Sequence, residues 1–238
     1  KATPGLAGGA TTASEFILRG HDRCAGRPSG QAVPADRICT ALTWNVFQTL
    51  RLIAPAFWLR RLRARLVGME SIDHVPLAAS IHLWESDAAP GAGAIRADVI
   101  VETEHAVIGL LTLFSKDLTA DAETGTALAP VLDLIDAVAS RAGVRDSYVG
   151  VITSAAADSP MAVSLVDRHA AGPVADAAVL RARTVGRSAL CGIGWATWGD
   201  MLAILDDCGA ADVLDDLERY AATRAARWLR SAGISPAR

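Results

Sequence analysis

The stretch between residues 97 and 114 constrains the fold of this chain most, because two apolar segments meet there at a short polar turn. Ala97–Glu102 and Ala106–Phe114 are both rich in Val, Ile or Leu, as β-strands are. Glu104 and His105 lie between them, where polar residues favour a turn. The sequence therefore predicts a β-hairpin at this point.

Counting outward from the turn predicts the register of this hairpin. The residue numbers of opposed pairs add to about 209, which places Asp98 opposite Leu111. Residues two apart on a strand point to the same face, so Leu111 and Leu113 share a face.

Helices and further strands flank the hairpin in a definite order. Ala35–Leu50 and Phe57–Val67 are predicted helices, and Ile81–Glu85 is a predicted strand that completes a three-strand meander. Ala127–Ala142 is a helix that can cross over and place the apolar strand Tyr148–Thr153 parallel to a neighbour. The remainder is predicted to be mainly helical, over Met161–Ala171, Val174–Arg183, Trp198–Asp207 and Ala211–Ser231. This order predicts a three-layer α/β fold on a small mixed sheet.

Length and composition favour a globular chain. The 238 residues fit one large domain or two small ones, and 51% of them are hydrophobic while 21% are charged. Residues 1–34 are predicted to form an irregular N-terminal segment, and residues 35–238 a single domain. The formal net charge of −3 gives no support for a free-standing nucleic-acid binder, although a local basic patch remains open.

Cysteine spacing and hydropathy indicate a cytoplasmic protein without a membrane contact. Cys24, Cys39, Cys191 and Cys208 form no CxxC pair and have no zinc-site spacing, which favours reduced thiols. No apolar run reaches the length of a membrane span, and the first residues lack the charged start and apolar stretch of a signal peptide.

Three segments carry a resemblance to a known superfamily. Ala41–Phe47 (ALTWNVF) resembles the first helix, Ala97–Thr103 (ADVIVET) the second strand and Gly194–Trp198 (GWATW) a C-terminal segment of uncharacterised bacterial PD-(D/E)XK nucleases. The resemblance covers roughly residues 36–205 and implies a restriction-endonuclease-like core of helix, three-strand meander, crossover helix and strand, here with a helical C-terminal part.

The resemblance also implies a metal-dependent site. In this superfamily an acidic residue and the Glu of a Glu-x-Lys strand hold a divalent metal, usually Mg²⁺, and the Lys helps to activate water. Asp98 matches the acidic position. Leu111 and Leu113 occupy the Glu and Lys positions, and Cys39 stands where a first-helix Glu is often found. Leucine neither binds a metal nor transfers a proton, so the resemblance implies a degenerate site with no cofactor, or Mg²⁺ if a site is active.

Two acidic groups remain candidates for catalysis or metal binding. Asp98 is a residual metal ligand or, alternatively, a strand-end carboxylate paired with an arginine or a backbone amide. Glu102 shares its strand face with Asp98 and could join Glu104 and His105 in a displaced metal cluster. The alternative is that Glu104 and His105 belong to a solvated turn.

The helix after Pro55 carries a cluster of basic residues. A basic helix beside a nuclease-like cleft is a plausible phosphate contact, and the alternative is a solvated face whose leucines pack inward. The candidate nucleic-acid-binding residues are Arg60, Arg61, Arg63 and Arg65.

Three functions follow from these observations. The first is a nuclease-like protein with a degenerate active site that acts as a binding or scaffolding protein, with nucleic acid as one partner. The second is an active Mg²⁺-dependent nuclease whose catalytic residues have migrated to Glu102, Glu104 or Lys116. The third is a protein-interaction domain without nucleic-acid contact.

Overall fold

A computed structural model describes residues 35–67, 76–83, 97–113, 129–154 and 190–236 of the chain. The predicted irregular segment 1–34 and the predicted helices Met161–Ala171 and Val174–Arg183 lie outside these residues. The described helices are α1 (Ala35–Leu50), α2 (Pro55–Val67), α3 (Ala129–Ala142), α4 (Trp198–Gly209) and α5 (Asp216–Ser231). The described strands are β1 (Ser80–Leu83), β2 (Val99–Glu102), β3 (Ala106–Thr112), β4 (Asp146–Thr153) and β5 (Leu190–Thr197).

The described strands form one mixed sheet in the order β1-β2-β3-β4-β5. The pairs β1–β2 and β2–β3 are antiparallel, while β3–β4 and β4–β5 are parallel. The helix α3 makes the crossover between β3 and β4, so the meander followed by a parallel strand is confirmed.

The hairpin β2–β3 has the predicted register. Val99 lies opposite Leu110, and Ile100 lies opposite Gly109, so each pair adds to the predicted value. Thr103 stabilises the turn, because its hydroxyl accepts the Ala106 N–H at 2.9 Å.

The strand β5 corrects the sequence prediction, which left the region after β4 mainly helical. Glycines at positions 192 and 194 interrupt the apolar pattern of Leu190–Thr197. Because glycine has a low strand propensity, the sequence did not predict a strand here. The structure reveals the reason for one of these glycines. A β-carbon at Gly194 would overlap the backbone carbonyl of Leu66, in the last turn of α2.

Apolar side chains on the two faces of the sheet enter two separate clusters. One cluster joins α1, α2, α4 and α5 to one face, where Val99, Ile108 and Leu110 are almost fully buried. The other joins α3 to the opposite face through Ile100 and Val107. The alternation of neighbouring strand residues between the two clusters produces a three-layer α/β arrangement.

Capping side chains fix the starts of the last two described helices. Thr197 and Asp200 form a reciprocal capping box at the start of α4. Asp215 and Glu218 form another at α5, so this helix begins at Asp216 and not at the predicted residue 211. None of the described helices is long and apolar enough to span a membrane.

Candidate functional site

Asp98 lies immediately before β2 and caps the end of the hairpin. Its Oδ2 atom accepts the backbone N–H of Thr112 at 2.8 Å and the Thr112 hydroxyl at 3.1 Å. The Asp98 N–H in turn donates to the Leu110 carbonyl at 3.2 Å. The carboxylate therefore takes the place of a backbone carbonyl as the acceptor for the Thr112 N–H at the end of the hairpin.

A buried hydroxyl chain links this carboxylate to the first helix. The Thr43 hydroxyl on α1 donates to the Thr112 hydroxyl at 2.8 Å, and both threonines are buried. Thr43 belongs to the segment that resembles the first helix of the nuclease superfamily. The first helix and the meander thus meet at Asp98 through two hydroxyls.

Leu111 and Leu113, the two leucines predicted to replace a Glu-x-Lys pair, lie on the face of the sheet that packs against α3. Leu111 and Leu113 are half-buried and pack against the apolar cluster beneath α3. The Asp98 carboxylate bonds to Thr112, whose hydroxyl faces α1. The register matches the prediction from Val99 to Glu102. The predicted facing of Asp98 and Leu111 is wrong, because the Asp98 carboxylate bonds to Thr112 on the α1 side whereas Leu111 packs on the α3 side.

Glu102 forms an ion-pair cluster with the end of α3. Its carboxylate accepts hydrogen bonds from Arg141 and from Arg145, the latter at 2.9 Å, and the imidazole of His82 lies 3.7 Å away. Burial acts to raise the pKa of the Glu102 carboxyl, but the hydrogen bonds and charges of the two arginines outweigh it and hold the pKa below its ordinary value.

Arg145 connects the Glu102 cluster to the backbone of α3 and of the hairpin turn. Its guanidinium also donates to the Arg141 carbonyl at 2.8 Å, to the Ala142 carbonyl at 3.2 Å and to the Thr103 carbonyl at 3.2 Å. Glu102 and Arg145 together tie the C-terminal end of α3 to the hairpin turn.

Of the two alternatives for Glu102, Glu104 and His105, the side chains follow the solvated turn and not the displaced metal cluster. Glu102 is engaged by two arginines, whereas Glu104 and His105 are exposed in the turn and contact each other at 3.1 Å. Over the described ranges, no three His, Cys, Asp or Glu side chains come together in a group that could hold a metal. Cys39 lies on α1, and Lys116 falls outside the described residues.

Arg61, Arg63 and Arg65 on α2 each contact a side chain of another element of the chain. Arg61 pairs with Asp207, and Arg65 lies 3.5 Å from the buried carboxylate of Asp200. Arg63 donates to the Tyr148 hydroxyl at 2.7 Å. The leucines of the same helix pack inward, as predicted: Leu59, Leu62 and Leu66 are buried.

Arg63 belongs to a polar cluster that sequence reasoning missed. Its guanidinium carbon lies 4.6 Å from the centre of the Tyr148 ring, a cation–π geometry. The Tyr148 hydroxyl and the Cys191 thiol both lie near the Asp146 carboxylate, at 3.5 and 3.6 Å. Burial and the negative charge of Asp146 raise the pKa of Tyr148 and of Cys191 above their ordinary values.

No signal in the sequence links the members of this cluster, because they come from α2, β4 and β5. The alternation of side chains along β4 is the nearest clue, since it places Asp146 and Tyr148 on one face of the sheet.

Comparisons of this chain with protein-family models, curated proteins and solved structures find no match.

Proposed function

We propose that this chain is a nuclease-like protein with a degenerate active site, which binds another macromolecule and does not cleave nucleic acid. The observation that carries the proposal is the environment of Asp98. Its Oδ2 atom accepts the Thr112 N–H and hydroxyl as part of the hairpin, and within the described residues no two further His, Cys, Asp or Glu side chains join it in a group that could hold a metal.

The leucines support the same conclusion. Leu111 and Leu113 contribute apolar surface to the cluster beneath α3 and supply neither a metal ligand nor a proton-transfer group. Glu102, the other acidic residue proposed for catalysis, is held by Arg141 and Arg145 in an ion pair between α3 and the hairpin.

The charge balance of α2 favours a protein partner over a nucleic acid. Arg61 and Arg65 face the carboxylates of Asp207 and Asp200, so their positive charges are compensated within the chain. A phosphate backbone would have to compete with these carboxylates, and the formal net charge of −3 adds no long-range attraction.

A cleavage assay tests the absence of activity. Single- and double-stranded DNA and RNA are incubated with the purified chain in Mg²⁺ or Mn²⁺, beside the variants Asp98→Ala and Glu102→Ala. We expect no cleavage above that of a mock preparation. Metal-dependent cleavage that either variant abolishes would overturn the proposal in favour of a migrated active site, whereas cleavage that neither variant alters identifies a contaminating nuclease.

A binding assay tests the partner class. Fluorescence anisotropy of labelled DNA and RNA oligonucleotides is measured against the chain over a series of salt concentrations. We expect no saturable binding at physiological salt. Salt-dependent binding that weakens in the double variant Arg60→Ala, Arg61→Ala, but not in the matched double variant Arg219→Ala, Arg230→Ala on α5, would assign nucleic acid as the partner.

A further inference from the structure

The helix α5 presents an unusual stripe of side chains on its solvent face. Leu217, Tyr220, Arg224 and Arg227 follow one another at spacings of three and four residues, which places them on one side of the helix. Leu217 and Tyr220 are 49% and 53% exposed. The opposite side of α5 is buried against the rest of the domain through Ala221, Ala222, Ala225, Ala226 and Leu229.

The apolar end of the stripe extends into the preceding turn. Val213 is 84% exposed, so three of the large exposed hydrophobic residues in the described part of the chain fall within eight consecutive positions. Exposed apolar side chains that cluster in this way are typical of an interaction surface.

The basic end of the stripe carries charge that the described residues do not neutralise. Arg224 donates to the neutral hydroxyl of Tyr220 at 3.0 Å, and within the described ranges neither Arg224 nor Arg227 forms an ion pair. A partner that covers this stripe should therefore place carboxylates near the second half of α5.

The required carboxylates are present at the other end of the same helix. Asp212 and Asp216 are 100% and 95% exposed, and their contacts with Arg219 are surface ion pairs of the kind that contribute little. A helix with an acidic apolar start and a basic second half is complementary to an antiparallel copy of itself, and the opposed helix dipoles favour the same orientation.

We propose that α5 is the interface of a homodimer, in which the α5 helices of two copies of this chain pack antiparallel across a twofold axis near Tyr220. Residues four positions before and after Tyr220 then face each other, which places Asp216 of one copy beside Arg224 of the other. Arg227 approaches the turn that carries Asp212 of the other copy, while Leu217 and Tyr220 form the centre. Because a single helix face buries little area, we expect a reversible dimer that dissociates on dilution.

Sedimentation velocity of the full chain over a concentration series tests this interface. We expect a reversible monomer–dimer equilibrium that weakens as the salt concentration rises. The double variant Arg224→Glu, Arg227→Glu, and separately Tyr220→Ser, should weaken dimerisation by about tenfold or more. Val144→Ser removes an apolar side chain that is fully exposed elsewhere, and it should leave the equilibrium unchanged.

Charge exchange provides the decisive measurement. Mixing the Arg224→Glu, Arg227→Glu chain with an Asp212→Arg, Asp216→Arg chain should restore a mixed dimer, because each chain now supplies the charge that the other lacks. Circular dichroism checks that the variants, all at exposed or half-exposed positions, remain folded. A chain that stays monomeric at every concentration, or a dimer that none of these substitutions weakens, would overturn the proposal, and neither result affects the proposed absence of nuclease activity.

Discussion

The backbone carbonyl of Leu66, in the last turn of α2, lies directly against Gly194 of β5, and no β-carbon fits between them. We predict that Gly194→Ala lowers the free energy of unfolding by about 3 kcal/mol or more, because backbone has to move to accommodate the methyl group. Urea denaturation followed by circular dichroism measures the change.

Gly150→Ala on β4 is the matched control for this substitution. Its new methyl would meet the ends of the Leu66 and Leu110 side chains, at 2.6 and 2.9 Å, and side chains can rotate away. We expect a loss of about 1–2 kcal/mol. If Gly194→Ala and Gly150→Ala lower the free energy of unfolding equally, the close approach of the Leu66 carbonyl to Gly194 does not limit the packing of α2 on the sheet.

The hydrogen bonds between Asp98 and Thr112 predict that Asp98→Ala lowers the stability of the chain more than Asp98→Asn does. Asp98→Ala should lower the free energy of unfolding by about 1–3 kcal/mol, because it leaves the buried Thr112 N–H and hydroxyl without their acceptor. Asp98→Asn keeps an oxygen acceptor and should retain most of the stability. If Asp98→Asn is as destabilising as Asp98→Ala, the negative charge and not the hydrogen bonds accounts for the stabilisation.

Glu102 predicts a pH-dependent contribution to stability. Because its pKa is lower in the folded chain than in the unfolded chain, its contribution is present above the ordinary pKa of 4.5 and is lost as the pH falls through the lowered folded value. Glu102→Gln should cost about 1.5–3 kcal/mol at pH 7, the range for hydrogen bonds to charged groups.

The pH series for Glu102 uses Glu104→Gln as its control. Glu104 lies two residues away in the exposed turn, so its substitution should change the stability little at any pH. The stability difference between the parent chain and Glu102→Gln should shrink in acid. A difference that stays constant from pH 7 into the acid range would contradict the assigned role of the carboxylate.

Asn45 on α1 predicts a stabilising substitution. The side chain is 1% exposed, and its amide nitrogen and oxygen have no hydrogen-bond partner within the described part of the chain. Asn45→Leu removes two buried unsatisfied polar atoms and should raise the free energy of unfolding by about 1–2 kcal/mol. Thr43→Val, on the same helix, removes a hydroxyl that donates to Thr112 and should instead lower it by about 1 kcal/mol.

Thermal and urea denaturation of the two α1 variants gives the comparison directly. Opposite signs for Asn45→Leu and Thr43→Val are the expected outcome. A loss of stability in Asn45→Leu would mean that the larger apolar side chain strains α1 by more than the unsatisfied amide costs.

Local sequence patterns anticipated much of the fold. The apolar stripe of α1 predicted a helix with the observed bounds, and the polar turn at Glu104 and His105 predicted the register of β2 and β3. These features depend on residues that are close in the sequence, so periodicity and turn chemistry suffice to predict them. The strand β5 was missed because its glycines lower the strand propensity of the segment. The reason for Gly194 is its close contact with the backbone of Leu66, which is distant in the sequence.

The candidate site was harder to predict because its contacts join distant segments. The sequence identified Asp98 and Glu102 as noteworthy carboxylates, but their partners come from elsewhere. Arg141 and Arg145 are 39 and 43 residues from Glu102, and Arg63 is 85 residues from Tyr148. Such pairs form only when helices and strands come together, and spacing along the chain contains no information on them.

The sequence by itself thus predicted the described helices to within a few residues at their ends, the three-strand meander and the register of the hairpin. The tertiary structure alone decided that Asp98 caps Thr112, that Glu102 joins α3 to the hairpin, and that the arginines of α2 are largely compensated. The physical reason is that backbone conformation responds to neighbouring residues, whereas the charge state and availability of a side chain depend on whatever the fold brings within a few ångströms of it.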